Sequence, residues 1–143
     1  MSRPALRPRS DYRAWWPITT RWHDNDVYGH ANNVVYYSWF DTAVNGWLLE
    51  VGLLDIEQGD PIGIVVETGC RYASSVAFPQ KIEVGIAVAK LGTSSVTYHL
   101  GIFVAGAETA AAEGHFTHVY VSRDSRRPAP LPDTWRTILE RLT

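Results

Sequence analysis

The spacing of apolar residues along the chain predicts one strand followed by one long helix. Residues 15–22 alternate apolar and polar side chains with the period of two that is typical of a half-buried strand. From about Asn33 to Glu50 apolar residues recur every three or four positions, as on a helix with one buried face. Asn32 or Asn33 is the candidate N-cap of this helix. Gly52 is predicted to end it, because glycine readily takes the left-handed conformation at a helix C-terminus.

Four more strands and a short helix are predicted after the long helix. The alternating pattern returns in four segments, residues 63–73, 81–90, 95–104 and 111–121. Short connections that contain glycine join the last three, so these strands should form an antiparallel meander. A proline-rich segment then breaks the sheet before a short helix at residues 133–142. An antiparallel sheet with one long helix to cover it predicts an α+β fold.

Length and composition favour one globular domain. The chain has 143 residues, of which 45% are hydrophobic, enough for a proper core over residues 15–143. Residues 1–14 are rich in arginine and proline and have little to bury, so we predict a flexible N-terminal tail there. The formal net charge of -2 provides no positive field for nucleic acid. Neither a membrane span nor a secretory signal is visible, which favours a cytoplasmic protein.

The loop between the first strand and the long helix concentrates polar side chains. It lies within residues 21–40, RWHDNDVYGHANNVVYYSWF. Two aspartates and two histidines in it are good metal-ligand types, but their spacing matches no standard site, and we expect no metal there. The single cysteine, Cys70, excludes an intramolecular disulfide, and its place in a strand pattern favours a small buried residue over a nucleophile.

A carboxylate a few residues before a helix N-terminus can transfer an acyl group to water. The unpaired N–H groups of a helix start carry partial positive charge, which can hold a carbonyl oxygen as it becomes negative. A neighbouring aspartate can attack the carbonyl carbon or deprotonate water for it. Aspartates before helices also serve merely as loop and capping residues. The residues by themselves leave both interpretations open for Asp24 and Asp26.

The order and spacing of this loop resemble the signature of the hotdog-fold thioesterases, in particular the 4-hydroxybenzoyl-CoA thioesterase-like branch that includes bacterial long-chain acyl-CoA thioesterases. That signature is an aspartate, one residue, an aspartate, two residues, Gly-His, one residue, Asn-Asn and an aromatic helix. The matching residues here are Asp24, Asp26, Gly29, His30, Asn32, Asn33, Tyr36 and Phe40. The resemblance covers about residues 15–143. It implies the hotdog fold, a five-stranded antiparallel sheet wrapped around one long central helix.

The resemblance implies hydrolysis of acyl-CoA thioesters to free acid and CoA, with no cofactor. Asp26 would be the nucleophile or general base, and backbone N–H groups between Asn33 and Tyr36 would form the oxyanion hole. The first aspartate of the motif would be structural. Gly29 and His30 complete the expected catalytic motif, and we expect His30 to orient Asp26 or the loop, with a base role second.

Hotdog thioesterases resemble one another in assembly, which is a dimer through sheet edges that is often paired into a tetramer, with each active site at a subunit interface. We therefore expect a homodimer or homotetramer that acts on a small-molecule acyl-CoA, with neither nucleic acid nor membrane as partner. Trp47, Tyr98 and Phe103 are expected to offer apolar surface for assembly.

The CoA moiety needs cations for its phosphates and polar partners for its pantetheine arm. The candidates are Ser94, Ser95, Arg123, Arg126 and Arg127. The last two arginines could equally serve only to solubilise a loop. The helix is expected to line the acyl tunnel. Its aromatic residues indicate a restricted or aromatic-friendly chamber, namely Tyr36, Tyr37, Trp39 and Phe40. Two alternatives stay open, an acyl-carrier-protein thioesterase of fatty-acid or polyketide metabolism and a noncatalytic acyl-binding module.

Overall fold

Five strands and two helices build the part of the chain that this computed structural model describes, residues 5–143. The strands are β1 (Ala14–Thr19), β2 (Ile62–Tyr72), β3 (Lys81–Leu91), β4 (Ser95–Val104) and β5 (Ala112–Val121). The helices are α1 (Val35–Glu50) and α2 (Asp133–Leu139). Short 3-10 turns add Arg9–Asp11, Trp22–Asp24 and Glu140–Leu142. The element order is the predicted one, with boundaries shifted by at most three residues.

The strands form one antiparallel sheet in the order β1-β3-β4-β5-β2. The predicted meander of the last three strands is confirmed, since β3 pairs with β4 and β4 with β5. β2 lies at the edge beyond β5, and its register shifts between Val65 and Glu67. This topology places the end of β2 beside the residues that lead into α1, as described below.

The long helix α1 is buried along one face of the sheet. Phe40, Ala43 and Val44 are fully buried there, in one core with the inward-facing residues of β3, β4 and β5. Burying one large apolar side chain contributes about 1.5–3 kcal/mol, so this stripe holds α1 in place. Gly114 allows the close approach, because a Cβ at that position would lie 2.6 Å from the Phe40 ring. The predicted α+β class and sheet-around-helix arrangement are confirmed.

Several large aromatic residues play a different part from the expected one. Phe40 fills the core with 0% of its surface exposed, whereas Trp39, which is 4% exposed, packs in the core and also lines a cavity beside β1. Trp47, Tyr98 and Phe103 were expected to offer assembly surface, but they are 8%, 0% and 0% exposed within one chain. The expectation was wrong because periodicity identifies a buried face but does not show whether the same chain or a partner chain covers that face.

The N-terminal segment differs from the flexible tail predicted for it. Residues 1–4 lie outside the described residues. Tyr12 is 5% exposed and packs edge-to-face against Phe103 on the sheet face opposite α1. Arg9 forms an ion pair with Glu83. These contacts tie the segment to β3 and β4, and a single well-placed aromatic is enough to anchor it.

The two edges of the sheet differ in length and character. β1 has six residues and contains Pro17, whereas β2 has eleven residues. Three neighbouring apolar residues of β2 are exposed, with Ile64 at 38%, Val65 at 42% and Val66 at 58%. A long apolar edge strand is a template for pairing with another chain. Within residues 5–143, no helix is both long and apolar enough to cross a membrane.

Candidate functional site

The polar loop before α1 is a tight turn tied to a neighbouring segment. The Asp26 N–H donates to the His30 carbonyl at 2.9 Å, and the Gly29 N–H donates to the Asp26 carbonyl at 3.1 Å. Gly29 has a φ of 85°, in the left-handed region that favours glycine. The Ala31 N–H donates to the Val76 carbonyl at 2.6 Å. The turn geometry thus explains why the motif has a glycine at this point.

Asp24 anchors the base of the loop. It is 1% exposed, and its Oδ2 accepts the backbone N–H of Arg21 at 2.8 Å. Its Oδ1 accepts two donors of the Arg21 guanidinium, at 3.0 and 2.7 Å. Its carbonyl accepts the Asn32 N–H at 2.9 Å. Because charge-assisted bonds satisfy this buried carboxylate, Asp24 holds the loop in shape.

Asp26 lies on the wall of an open cavity of about 330 Å³. The cavity is lined by Asp26, His30, Ala31, Asn33, Tyr36, Tyr72, Ala73, Ser74 and Ser75. The Asp26 Oδ1 accepts the Tyr28 N–H at 2.8 Å. Its Oδ2 has no hydrogen-bond donor among residues 5–143. One oxygen therefore orients the carboxylate, and the other is available to a substrate or a water molecule.

The start of α1 lies on the same cavity and carries unpaired donors. The Val35 N–H donates to the Asn32 carbonyl at 3.0 Å, and the Val34 N–H donates to the Asn32 Oδ1 at 3.0 Å. Within the described residues, the N–H groups of Asn33 and Tyr36 have no acceptor, as is usual before and within a first helical turn. Such donors can stabilise a carbonyl oxygen that gains negative charge.

The predicted start and cap of the helix need a small correction. The helix begins at Val35, and Val34 occupies the N-cap position with no side-chain cap. Asn32 accepts from the Val34 N–H two residues on, which is the local turn that asparagine side chains favour over helix. The polar motif therefore shapes the approach to the helix and leaves the N–H groups of Asn33 and Tyr36 without an acceptor among residues 5–143.

Tyr72 belongs to the site although the sequence did not indicate it. Its Oη donates to the Asn33 carbonyl at 2.8 Å, and its ring meets the Tyr36 ring edge-on with centroids 4.9 Å apart. Burial, with a smaller effect of Cys70, raises the pKa of the Tyr72 phenol, so it keeps its proton near neutral pH. The only sequence signal was its place at the end of a predicted strand. Ser74 and Ser75, which follow it, were missed for the same reason.

His30 lies on the cavity wall with an exposed side chain. Its ring stacks on Tyr28 with centroids 6.4 Å apart. Within residues 5–143, no hydrogen bond or ion pair joins the His30 imidazole to the Asp26 carboxylate. The expected orientation of Asp26 by His30 instead involves the His30 backbone carbonyl, which accepts the Asp26 N–H.

Ser94 and Ser95 lie toward the other end of the sheet. Ser95 is paired with Val119, which is itself paired with Ile64 near the start of β2. The cavity lies at Tyr72, eight residues further along β2, or about 26 Å at the usual rise per residue. Within one chain, these serines are therefore not brought together with Asp26.

The three arginines after β5 are also remote from the cavity within one chain. Arg123 donates from Nε to the Gly59 carbonyl at 2.6 Å and from Nη2 to the Ile56 carbonyl at 3.1 Å, so it secures the loop before β2. Arg126 donates from Nε to the Arg123 carbonyl at 2.8 Å. Arg127 is exposed. A phosphate could contact the exposed pair, whereas Arg123 already has backbone partners.

Two other kinds of reactive group are a cluster of metal ligands and the thiol of Cys70. Residues 5–143 contain no group of three or more His, Cys, Asp or Glu side chains that could hold a metal ion. Burial raises the pKa of the Cys70 thiol to about 11. Since the thiolate is the reactive form, Cys70 is a weak nucleophile near neutral pH.

Comparisons with known proteins agree with this fold. The model of the thioesterase-like superfamily matches residues 20–141. The solved structure of the PA5185 protein from Pseudomonas aeruginosa strain PAO1 is 53% identical, with a TM-score of 0.91 and 95% of each chain covered. A thioesterase from Thermus thermophilus, complexed with coenzyme A and Zn, is 26% identical, with a TM-score of 0.75, covering 92% of this chain and 93% of that chain.

A more distant relative is YsmA of Bacillus subtilis (strain 168), an uncharacterized protein. It is 23% identical over 82 residues, which are 57% of this chain and 55% of YsmA, so the match spans about half of that protein. Taken with the family match, the likenesses confirm the predicted family and hotdog fold, and they support thioester hydrolysis as the general reaction.

Proposed function

The chain belongs to the thioesterase-like superfamily, and from that premise we propose that it hydrolyses acyl-CoA thioesters to the free acid and CoA. One observation carries the proposal: the Asp26 carboxylate and the residues with unpaired amides, Asn33 and Tyr36, line the same cavity. Thioester hydrolysis needs an anionic group that attacks or activates water and donors that hold the oxyanion. Thiolate leaves readily, so no strong acid is needed.

Asp26 acts through the oxygen that has no partner. In one route, Oδ2 attacks the thioester carbonyl carbon, the thiolate of CoA leaves, and water hydrolyses the resulting mixed anhydride. In the other, Oδ2 takes a proton from a water molecule that attacks the same carbon. In both routes the carbonyl oxygen gains negative charge, which the N–H groups of Asn33 and Tyr36 stabilise.

The expected assembly is a homodimer or homotetramer formed through β2. Its exposed apolar residues and open backbone ladder support this edge over β1, in which Pro17 interrupts the donors. Antiparallel pairing of two β2 strands would bring the Ser95 end of one copy towards the cavity of the other. The serines and the exposed arginines could then contact CoA from the partner subunit. A cytoplasmic location remains a prediction.

The test is release of free thiol from a panel of short, long and aromatic acyl-CoA esters, with an acyl-carrier-protein thioester added. Hydrolysis of at least one CoA ester is expected, and Asp26→Asn should lower kcat by about two orders of magnitude or more. Asp41→Asn is the matched control, because Asp41 is an exposed aspartate of α1 whose side chain, among residues 5–143, bonds only to Asn45. A panel at the buffer rate, unchanged by Asp26→Asn, would favour a noncatalytic acyl-binding module. Preference for the carrier-protein thioester would favour an acyl-carrier-protein thioesterase over an acyl-CoA thioesterase.

A further inference from the structure

The end of β2 is joined to the residues before α1 by one side chain. Tyr72, the last residue of β2, donates its hydroxyl hydrogen to the Asn33 carbonyl at 2.8 Å. Its ring packs at 86° against that of Tyr36, which is 2% exposed and therefore a rigid support. Tyr72 thus connects a sheet strand to the short segment that carries the unpaired Asn33 amide.

The backbone around Asn33 is held by three hydrogen bonds. The peptide group between Asn33 and Val34 is held on both sides, since its carbonyl accepts from Tyr72 and its N–H donates to the Asn32 Oδ1 at 3.0 Å. The preceding peptide group is held through the Asn32 carbonyl, which accepts the Val35 N–H at 3.0 Å. The N–H of that preceding group, on Asn33, is left unpaired in a fixed direction.

We propose that Tyr72 is a positioning residue for thioester hydrolysis, because its hydroxyl fixes the backbone that presents the Asn33 amide to the substrate carbonyl oxygen. This inference rests on the proposed function. A donor stabilises a developing oxyanion well only if it already points at it, so that no reorganisation is needed during the reaction. Of the three bonds, the one from Tyr72 alone ties this segment to the sheet, whereas the other two are local.

The structure also indicates that losing this bond leaves the fold intact. Asn33 is exposed, so water can replace the phenol as donor to its carbonyl. Phenylalanine would keep the ring contact with Tyr36. Tyr72→Phe therefore removes the tether, together with the interactions of the hydroxyl with the Cys70 and Tyr37 side chains, and keeps the ring in place.

The kinetic test compares Tyr72→Phe with the wild type on the best acyl-CoA ester of the panel. We expect kcat to fall about tenfold and KM to stay within about twofold, because the displaced amide matters most as charge develops. The pH profile of kcat should keep its shape. An unchanged kcat, or a shifted alkaline limb that would mark Tyr72 as a proton donor, would overturn the inference.

Tyr12→Phe is the matched control. Tyr12 is a buried tyrosine, its hydroxyl has no hydrogen-bond partner within residues 5–143, and it lies on the sheet face opposite α1. Both kinetic constants should match those of the wild type in this variant. A similar fall of kcat in Tyr72→Phe and Tyr12→Phe would overturn the proposal. The loss would then come from a general loosening of the sheet and not from the bond between Tyr72 and Asn33.

Amide hydrogen exchange provides a readout that does not depend on activity. In Tyr72→Phe, the amides of Val34 and Val35 should exchange about tenfold faster, while that of the buried strand residue Val84 stays unchanged. If the wild type hydrolyses no thioester of the panel, the proposed function fails and the catalytic part of this inference fails with it. Faster exchange would still establish the tether in that case, and unchanged exchange would refute the tether itself.

Discussion

Replacing Gly29 with alanine tests whether the turn that carries Asp26 must keep its present shape. Gly29 has a φ of 85°, and a Cβ at this position would have no neighbour within 4 Å. The substitution therefore introduces backbone strain without a steric clash. The strain of a left-handed alanine is about 1–2 kcal/mol. A stiffer unfolded chain offsets about 0.4–1 kcal/mol of this, which leaves a net loss of about 1 kcal/mol in the free energy of unfolding.

The effect on activity should exceed the effect on stability. To relieve the strain, residue 29 would rotate to a negative φ, which would disrupt the bond from its N–H to the Asp26 carbonyl. Asp26 would then shift relative to the amides of Asn33 and Tyr36. Because small misplacements of a catalytic group are costly, we expect kcat/KM to fall about tenfold or more.

The chain offers a closely matched control in Gly106, in the connection between β4 and β5. It has a φ of 83°, and a Cβ there would also have no neighbour within 4 Å. Gly106→Ala should lower the melting temperature by a similar amount, about 4 °C for each variant, and leave kcat/KM unchanged. The assays are thermal unfolding and thiol release. If Gly29→Ala loses stability like its control but keeps wild-type kcat/KM, the link between this turn and Asp26 is wrong.

Two further predictions concern pH and assembly. Burial lowers the pKa of His118 from its ordinary value of 6.5 to about 4, so the unfolded chain binds this proton at higher pH than the folded one. The stabilisation is complete above about pH 6.5 and is lost as the pH falls towards 4, by an amount on the order of 3 kcal/mol that denaturant titrations should detect. A pH dependence that His118→Asn leaves unaltered would contradict this. Val66→Lys places a charge on the exposed edge of β2 and should weaken self-association at least about tenfold in sedimentation experiments. Ile56→Lys, at an apolar position that is 69% exposed outside the edge, should not, and equal effects would argue against assembly through β2.

Much of the fold could be predicted because its information is local. Alternation marked the strands, and the change to a period of three or four marked α1. The motif containing Asp26 and Gly29 indicated the polar turn, and it lies where the unpaired amides of Asn33 and Tyr36 open on the cavity. Each of these features depends on residues that are close together in the sequence, so the pattern of residue types shows it directly.

The remaining features depend on contacts between distant parts of the chain. The contact of Tyr72 with Asn33 spans 39 positions and exists because β2 lies beyond β5 at the edge of the sheet. The same topology separates Ser95 from the cavity within one chain. Tyr12 shows the converse, since an isolated aromatic in a polar segment gave no pattern, yet it is buried on the sheet.

The sequence by itself therefore determined the order of elements, the buried face of α1 and the loop that carries Asp26. Only the tertiary structure decided which strand end meets that loop, which aromatic residues the chain buries within itself, and which candidate CoA contacts would have to come from a second copy. The physical reason is that side-chain periodicity records whether a face is buried. Strand order and register decide which residues cover that face, and both depend on pairing between segments that are far apart in the sequence.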